Sequence, residues 1–139
     1  MVDPSADVVW NAVATVTTES GMEDRAPRTD EEWLKVRHHA LIVAEATNLL
    51  MVPGRHVAAP GERSDNPKVE LHPEEIEKLI VDDPATWRSL ASGLHDATLV
   101  ALHAIDERKA AAVFDAGENI DKACEACHLH YWYPQGIRR

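Results

Sequence analysis

Two cysteines and a histidine stand together near the C-terminal end of this chain, in the run Cys124-Glu125-Ala126-Cys127-His128. Two thiols with this spacing can form thioether bonds to the two vinyl groups of a haem, and the adjacent imidazole can then ligate the iron. On a helix, residues three and four apart share a face, so the three side chains can meet one edge of a flat macrocycle. The motif uses both cysteines of the chain. It predicts one covalently attached haem c, with His128 as the proximal iron ligand.

Three other interpretations of the cysteine pair stay open. A redox-active thiol pair is usually found at a helix start beside a βαβ pattern, and the sequence shows no alternation of strands and helices. A structural zinc site needs four ligands, and a second half-motif with regular spacing is missing. The third interpretation is a chance match of two inert, buried cysteines. Haem attachment is the favoured interpretation because it explains all three side chains.

The elements that must position the motif are expected to be helices. The chain is rich in Ala, Leu, Val and Glu and has only six glycines, a composition that favours helices. The clearest helix begins at 29–32, where Thr29 or Asp30 can cap and the acidic first turn suits the helix dipole. Apolar residues then recur with a helical period as far as Leu50. The helix is expected to end at Val52-Pro53-Gly54.

A crossover loop and two more helices are predicted to follow. Residues 52–71 are rich in proline, glycine and charge, which indicates an irregular surface connection. A short helix begins at His72-Pro73, with proline in its first turn, and ends near Asp82. Asp83-Pro84 then begin a longer helix that continues to about Ile105.

The motif itself is predicted to lie on the last helix, at about residues 118–133. A short helical piece over 107–114 precedes it, and Gly117 is expected to separate the two. At the other end of the chain, residues 6–18 are ambiguous between an extra helix and a partly extended arm, because of their Val and Thr content.

Together these elements predict an all-α fold, an antiparallel four-helix bundle with a long crossover loop and an extra N-terminal segment. The 139 residues are expected to form a single domain. Within it, residues 30–134 form the bundle and residues 1–28 are an N-terminal extension. The haem is expected to fill a gap between helices in the bundle core.

The net charge is −10, with 24 acidic residues against 14 lysines and arginines. This argues against binding to nucleic acid and to anionic lipid. No stretch has the apolar length needed to span a bilayer. The N-terminus lacks the basic and apolar regions of a signal peptide, whereas covalent haem attachment normally takes place outside the cytoplasm. We therefore expect a periplasmic protein whose signal peptide has been removed.

The order of helices over residues 30–134, with the Cys124–His128 motif on the last one, resembles the cytochrome c′ and cytochrome c-556 family of four-helix-bundle monohaem proteins. A second, local match is the stretch 36–41 (Val-Arg-His-His-Ala-Leu), which is similar to the family's first-helix pattern. There an arginine approaches a haem propionate, and a residue one turn later covers the distal face of the iron. The resemblance implies these roles for Arg37 and Leu41.

The sixth iron ligand stays open at this point. If Leu41 covers the iron, the resting haem is five-coordinate. If a side chain ligates instead, the candidates are His38 or His39, followed by Met51 and Met22. His38 is three residues before Leu41 and therefore lies close to the same face.

The expected function is transfer of single electrons by an iron that cycles between ferric and ferrous states, with a redox partner protein of unknown identity. A five-coordinate haem protein that binds nitric oxide or carbon monoxide is the alternative, and a haem-free thiol-redox protein is more remote. No paired carboxylates, serine–histidine set or phosphate loop indicates an enzyme. The resemblance also implies a possible homodimer, because family members often pair through their first helices.

Overall fold

A computed structural model describes residues 1–18 and 21–134, and helices dominate it, as predicted. Two short strands pair in a hairpin, so the all-α expectation needs correction to a mostly helical fold with a small sheet. In chain order the elements are α1 (Val2–Ala12), β1 (Ala14–Thr18), β2 (Gly21–Arg25), α2 (Asp30–Leu50), α3 (Pro73–Asp82), α4 (Pro84–Asp106) and α5 (Ala110–Tyr131).

The predicted helix starts are confirmed in their local chemistry. The Thr29 hydroxyl accepts a hydrogen bond from the Glu32 amide at 3.2 Å, and the Glu32 carboxylate accepts one from the Thr29 amide at 3.0 Å. This reciprocal pair is a capping box, which satisfies two amides at the start of α2. The Asp83 carboxylate caps α4 in a similar way, by accepting from the Thr86 amide at 3.1 Å.

The sequence left residues 6–18 open between a helix and an extended arm, and the structure contains both. The helix α1 ends at Ala12, and β1 then pairs antiparallel with β2, with Ala14 opposite Arg25 and Thr18 opposite Gly21. Alternating threonine and valine favour an extended strand over a helix, because β-branched side chains lose rotamer freedom in a helix.

The last helix corrects another prediction, since α5 runs without a break through Gly117. Gly117 is buried under Trp10 of α1, whose indole Nε1 donates a hydrogen bond to the Gly117 carbonyl at 3.0 Å. A Cβ at this position would lie 3.1 Å from the Cδ1 atom of Trp10. The glycine therefore permits a close approach between two helices and does not end one. The chain turns earlier, where Arg108 has a φ of 55°.

The hydrophobic core is shared by four helices. The helix α1 packs against α2 and α5, and α4 packs against the same two helices. Residues 1–28 were expected to be an extension, but α1 contributes Ala6 and Val9 to this core. The largest fully buried apolar side chains of the core are Val9, Val43, Ile105, Val113 and Ile120.

Contacts at the two ends of α2 show the helix directions. Near its C-terminal end, the Leu50 carbonyl accepts a hydrogen bond from Trp87 Nε1 at 2.8 Å, and near its start Arg37 pairs with Asp106. The helix α4 is therefore antiparallel to α2, and the short turn between α4 and α5 makes α5 antiparallel to α4. It follows that α2 and α5 run in the same direction, so the C-terminal end of α2 lies at the end of α5 that carries the cysteines.

Candidate cofactor site

The last turns of α5 border a cavity of about 670 Å3, and Cys124, Cys127 and His128 all line it. Its volume falls in the range of about 300–1,000 Å3 that small-molecule and cofactor sites occupy. The helical spacing that the sequence predicted is realised, because the three side chains come from one face of α5. The motif therefore opens onto space that can hold a cofactor, and not onto a packed core.

The remaining walls of the cavity are mostly apolar and come from separate parts of the chain. They are the start of α1, the end of α2 with the residues after it, α3, and the start of α4. The lining side chains used below are Val2, Met51, Arg55, His56, Ile80, Trp87, Arg88, Tyr131 and Trp132.

The two thiols are free and half-buried. Burial, with a smaller contribution from Asp121, raises the pKa of the Cys124 thiol to about 11, and burial also raises the pKa of Cys127. The motif lies in the C-terminal half of α5, away from the helix N-terminus. Redox-active cysteine pairs have lowered pKa values, often at a helix N-terminus. The electrostatics of this pair are therefore opposite to those of a thiol-exchange site.

His128 is held by the aromatic residues that follow it. The Tyr133 hydroxyl lies 3.4 Å from His128 Nδ1, and the ring of Trp132 meets the imidazole edge-on, with centroids 5.1 Å apart. The same hydroxyl donates a hydrogen bond to Glu125 Oε2 at 2.6 Å, which raises the pKa of Tyr133 to about 12. One nitrogen of His128 is thus in contact with its own helix end.

Tyr131 brings an unsatisfied polar atom to the cavity. Its side chain is 3% exposed, and its hydroxyl has no hydrogen-bond partner among the described residues. Its ring packs edge-on against Trp87, with centroids 5.0 Å apart. A buried hydroxyl without a partner costs about 1–3 kcal/mol, so a polar group in the cavity would relieve it. The apolar walls and this hydroxyl fit a large apolar cofactor that carries a few polar atoms.

Two arginines border the same cavity and were not identified from the sequence. Arg55 and Arg88 are exposed, and neither forms an ion pair with a described residue. Arg55 lies in the segment that was predicted to be a surface crossover, and no periodicity marks it. Guanidinium groups at an apolar cavity fit carboxylates of a bound molecule, because they can bind them with two parallel hydrogen bonds.

The residues expected on the distal side lie elsewhere. Arg37 Nε donates to Asp106 Oδ1 at 2.7 Å, Leu41 packs against the hydrophobic core, and His39 Nδ1 lies 3.3 Å from the Ser5 hydroxyl. None of Arg37, His38, His39 and Leu41 lines the cavity.

The physical reason is the direction of α2. Because α2 runs parallel to α5, only its C-terminal end approaches the motif. Leu41 is nine residues, or about 14 Å of helix, before Leu50, which lines the cavity. The structure therefore does not bring the four residues of α2 to the motif.

The cavity lining also includes a methionine and a second histidine, two side-chain types that can ligate haem iron. Met51 is half-buried at the end of α2, and His56 lies in the loop that follows. Glu77 of α3 fixes that loop, because its Oε1 accepts a hydrogen bond from the Val57 amide at 3.0 Å and lies 3.1 Å from His56 Nδ1. Met22, the other methionine considered, is exposed on β2.

Comparisons with family models, with curated proteins and with solved structures found no match to this chain. Within residues 1–18 and 21–134, no three histidine, cysteine or acidic side chains are grouped to hold a metal ion, so a four-ligand zinc site is not assembled there. None of the helices in these ranges has the length and apolar character of a membrane span.

Proposed function

We propose that this chain is a c-type cytochrome that binds one covalent haem c and transfers single electrons, similar to the cytochrome c′ and cytochrome c-556 family. The observation that carries the proposal is the cavity of about 670 Å3 that Cys124, Cys127 and His128 line together. The raised pKa values of both thiols are also unlike the lowered values of cysteines that carry out thiol exchange.

Five side chains at the cavity would hold the haem. Cys124 and Cys127 would form the two thioethers, and His128 would ligate the iron. Arg55 and Arg88 would pair with the two propionates, a role that the resemblance implies for Arg37. When bound, the haem supplies one-electron chemistry by cycling between ferric and ferrous iron. The mostly apolar walls would cover part of the macrocycle, and one-electron transfer needs no further reacting side chain, so we propose an electron carrier and not an enzyme.

The fold that we propose for this function is an antiparallel four-helix bundle made of α1, α2, α4 and α5. Its support is the closed set of contacts, in which each of these helices packs against two of the others. The bundle then begins at Val2, and α3 is an additional short helix that closes the cavity. In this arrangement the cavity that would hold the haem lies at the end of the bundle, between the last turns of α5 and the start of α4.

Cell location and partner follow from the chemistry of attachment and from charge. Because covalent attachment takes place outside the cytoplasm, we propose a periplasmic protein. A net charge of −10 favours a redox partner with a basic surface.

The coordination number decides between electron transfer and gas binding. Met51 and His56 both line the cavity, and ligation by either gives a six-coordinate electron carrier. If neither ligates, the iron has a free position that can bind nitric oxide or carbon monoxide.

The test is periplasmic expression of the full chain in a host that attaches haem to cytochromes. We expect an intact mass raised by one haem and a sharp α-band in the reduced-minus-oxidised spectrum. The Cys124→Ala/Cys127→Ala double variant is the control, and its mass should equal the bare polypeptide. A broad high-spin spectrum that shifts under carbon monoxide would support gas binding instead. A colourless wild-type chain with bare mass would refute both forms of the proposal.

A further inference from the structure

The contacts of His128 favour a proton on one of its two ring nitrogens. The Tyr133 hydroxyl has a single proton, and the 2.6 Å contact with Glu125 Oε2 uses it, because an ionised carboxylate can only accept. The longer contact of 3.4 Å between the same hydroxyl and His128 Nδ1 is a hydrogen bond only if Nδ1 donates. A neutral His128 with a proton on Nδ1 has its lone pair on Nε2.

The sequence places this arrangement inside the haem motif itself. Glu125 is the residue after Cys124, and Tyr133 follows His128 by five positions, where α5 has ended and the chain turns back. The Trp132 amide still donates to the His128 carbonyl at 2.8 Å, which holds the turn against the helix end. The edge-on contact with Trp132 restricts rotation of the imidazole. The backbone amide and the ring of Trp132 thus both help to hold His128 in place.

We propose that Tyr133 and Glu125 are positioning residues that fix the Nδ1-protonated tautomer of His128 and increase the electron density that Nε2 gives to the haem iron. The inference rests on the proposed function. A ligating histidine commonly donates its second N–H to a carboxylate or carbonyl, which raises the basicity of the ligand. Here the carboxylate acts through one hydroxyl, and its negative charge strengthens the hydrogen bond that the hydroxyl accepts.

A more electron-rich proximal ligand stabilises ferric iron relative to ferrous iron. The relay from His128 through Tyr133 to Glu125 should therefore lower the reduction potential. Removing such an outer contact typically changes metal affinity or activity by about 10- to 100-fold. We expect the smaller change, about tenfold, because the contact between the Tyr133 hydroxyl and His128 Nδ1 is long.

The experiment compares reduction potentials of haem-loaded full-length variants. Tyr133→Phe removes the relay without changing the charge. It should favour the reduced state by about tenfold, which corresponds to about 59 mV for one electron. Asp121→Asn and Glu125→Gln each remove one negative charge from the same helix, but of the two only Glu125 is hydrogen-bonded to Tyr133. The shift in Glu125→Gln should exceed the shift in Asp121→Asn.

Two results would overturn the inference. One is a haem-loaded Tyr133→Phe variant with the wild-type potential. The other comes from nitrogen NMR of the full chain expressed without haem: a proton on His128 Nε2 contradicts the relay, and a proton on Nδ1 that is lost in Tyr133→Phe supports it. A wild-type chain that takes up no haem refutes the proposed function, whereas an unchanged potential in a loaded variant refutes only the relay.

Discussion

The two ends of the helix assembly are built from different residues. Ile105, Val113 and Ile120 lie in the core that four helices share, and each of them is at most 2% exposed. At the other end, around Cys124, a cavity lies between the elements, and most of the side chains that line it are half-buried or exposed. Several apolar side chains there are exposed, among them Val52, Val57 and Val81. One sequence thus forms a closed core and an open cavity along the same helices.

The difference indicates which end stabilises the chain and which end has room for a cofactor. Burial of apolar area is the main favourable term in folding, and at the closed end the apolar side chains are already buried. The cavity end leaves apolar surface uncovered, and a haem would cover it. We therefore expect the closed end to determine the stability of the haem-free chain, while the cavity end contributes fully only when a cofactor is bound.

The largest expected effect is the difference in stability between two variants, one with a substitution at each end. Ile120→Ala removes a fully buried side chain from the closed core and should destabilise the chain by about 2–5 kcal/mol, whether or not haem is bound. Ile80→Ala removes a half-buried side chain from the cavity wall. It should cost much less in the haem-free chain and more in the loaded one. Urea unfolding of both forms measures the difference.

The comparison would fail if Ile80→Ala and Ile120→Ala were equally costly without haem. That result would mean that the cavity end is as well packed as the core. An Ile80→Ala variant with the same small cost in both forms would mean instead that the haem does not contact α3.

Two glycines provide a matched pair of smaller effect. Gly117→Ala places a methyl group 3.1 Å from Trp10 Cδ1 at the closed end, whereas a Cβ at Gly93 of α4 meets nothing within 4 Å. Both changes gain helix propensity, worth about 0.8–1 kcal/mol. Gly93→Ala should therefore be stabilising by about that amount. Gly117→Ala should be destabilising by about 1 kcal/mol, because overpacking typically costs about 1–3 kcal/mol.

Thermal unfolding of the two alanine variants checks this pair. If Gly117→Ala is as stabilising as Gly93→Ala, the indole of Trp10 can move aside, and α1 is packed more loosely on α5 than the 3.0 Å hydrogen bond to Gly117 indicates.

The sequence predicted those parts of the fold that depend on local chemistry. The starts of α2 and α4 were predicted because Thr29 and Asp83 satisfy backbone amides within three residues. The placement of Cys124, Cys127 and His128 on one face was predicted because helical spacing alone determines it. Each of these features involves residues only a few positions apart.

The features that the sequence did not predict depend on distant pairs of residues. Gly117 was expected to separate two helices, and its packing role was missed because its partner, Trp10, is 107 residues away in the sequence. Arg55 and Arg88 reach one cavity from a loop and from α4, and no local pattern relates them. The roles implied for Arg37 and Leu41 needed the direction of α2 relative to α5, which only the packing determines.

The arginines give the next prediction, with a control at the opposite end. Arg55→Gln and Arg88→Gln should each destabilise the haem-loaded chain by about 0.2–1 kcal/mol, the usual value of an exposed ion pair, and leave the haem-free chain unchanged. Arg37→Gln breaks the pair with Asp106, away from the cavity, and should have the same effect on both forms. The difference in melting temperature between loaded and haem-free protein is the measurement. An equal change for all three variants would contradict the assignment of propionates to Arg55 and Arg88.

A fall in pH should destabilise the two ends to different extents in the unsubstituted protein. The hydrogen bond from the Val57 amide, and then the contact with His56, lower the pKa of Glu77 below its ordinary value of 4.5. A carboxyl group whose pKa is lowered by folding contributes stability that is fully present above 4.5 and is lost as the pH falls through the folded-state value. The loop at the cavity should therefore loosen below about pH 4.5.

Hydrogen exchange, corrected for the intrinsic pH dependence, measures this at the Val57 amide. Its protection should fall with acid while the Val43 amide in the closed core stays protected, because apolar packing does not titrate. Glu77→Gln is the control: Val57 should exchange faster at neutral pH and show little further change with acid. Equal loosening at Val57 and Val43 would mean that the molecule opens as one unit, and that its cavity and core are not energetically separate.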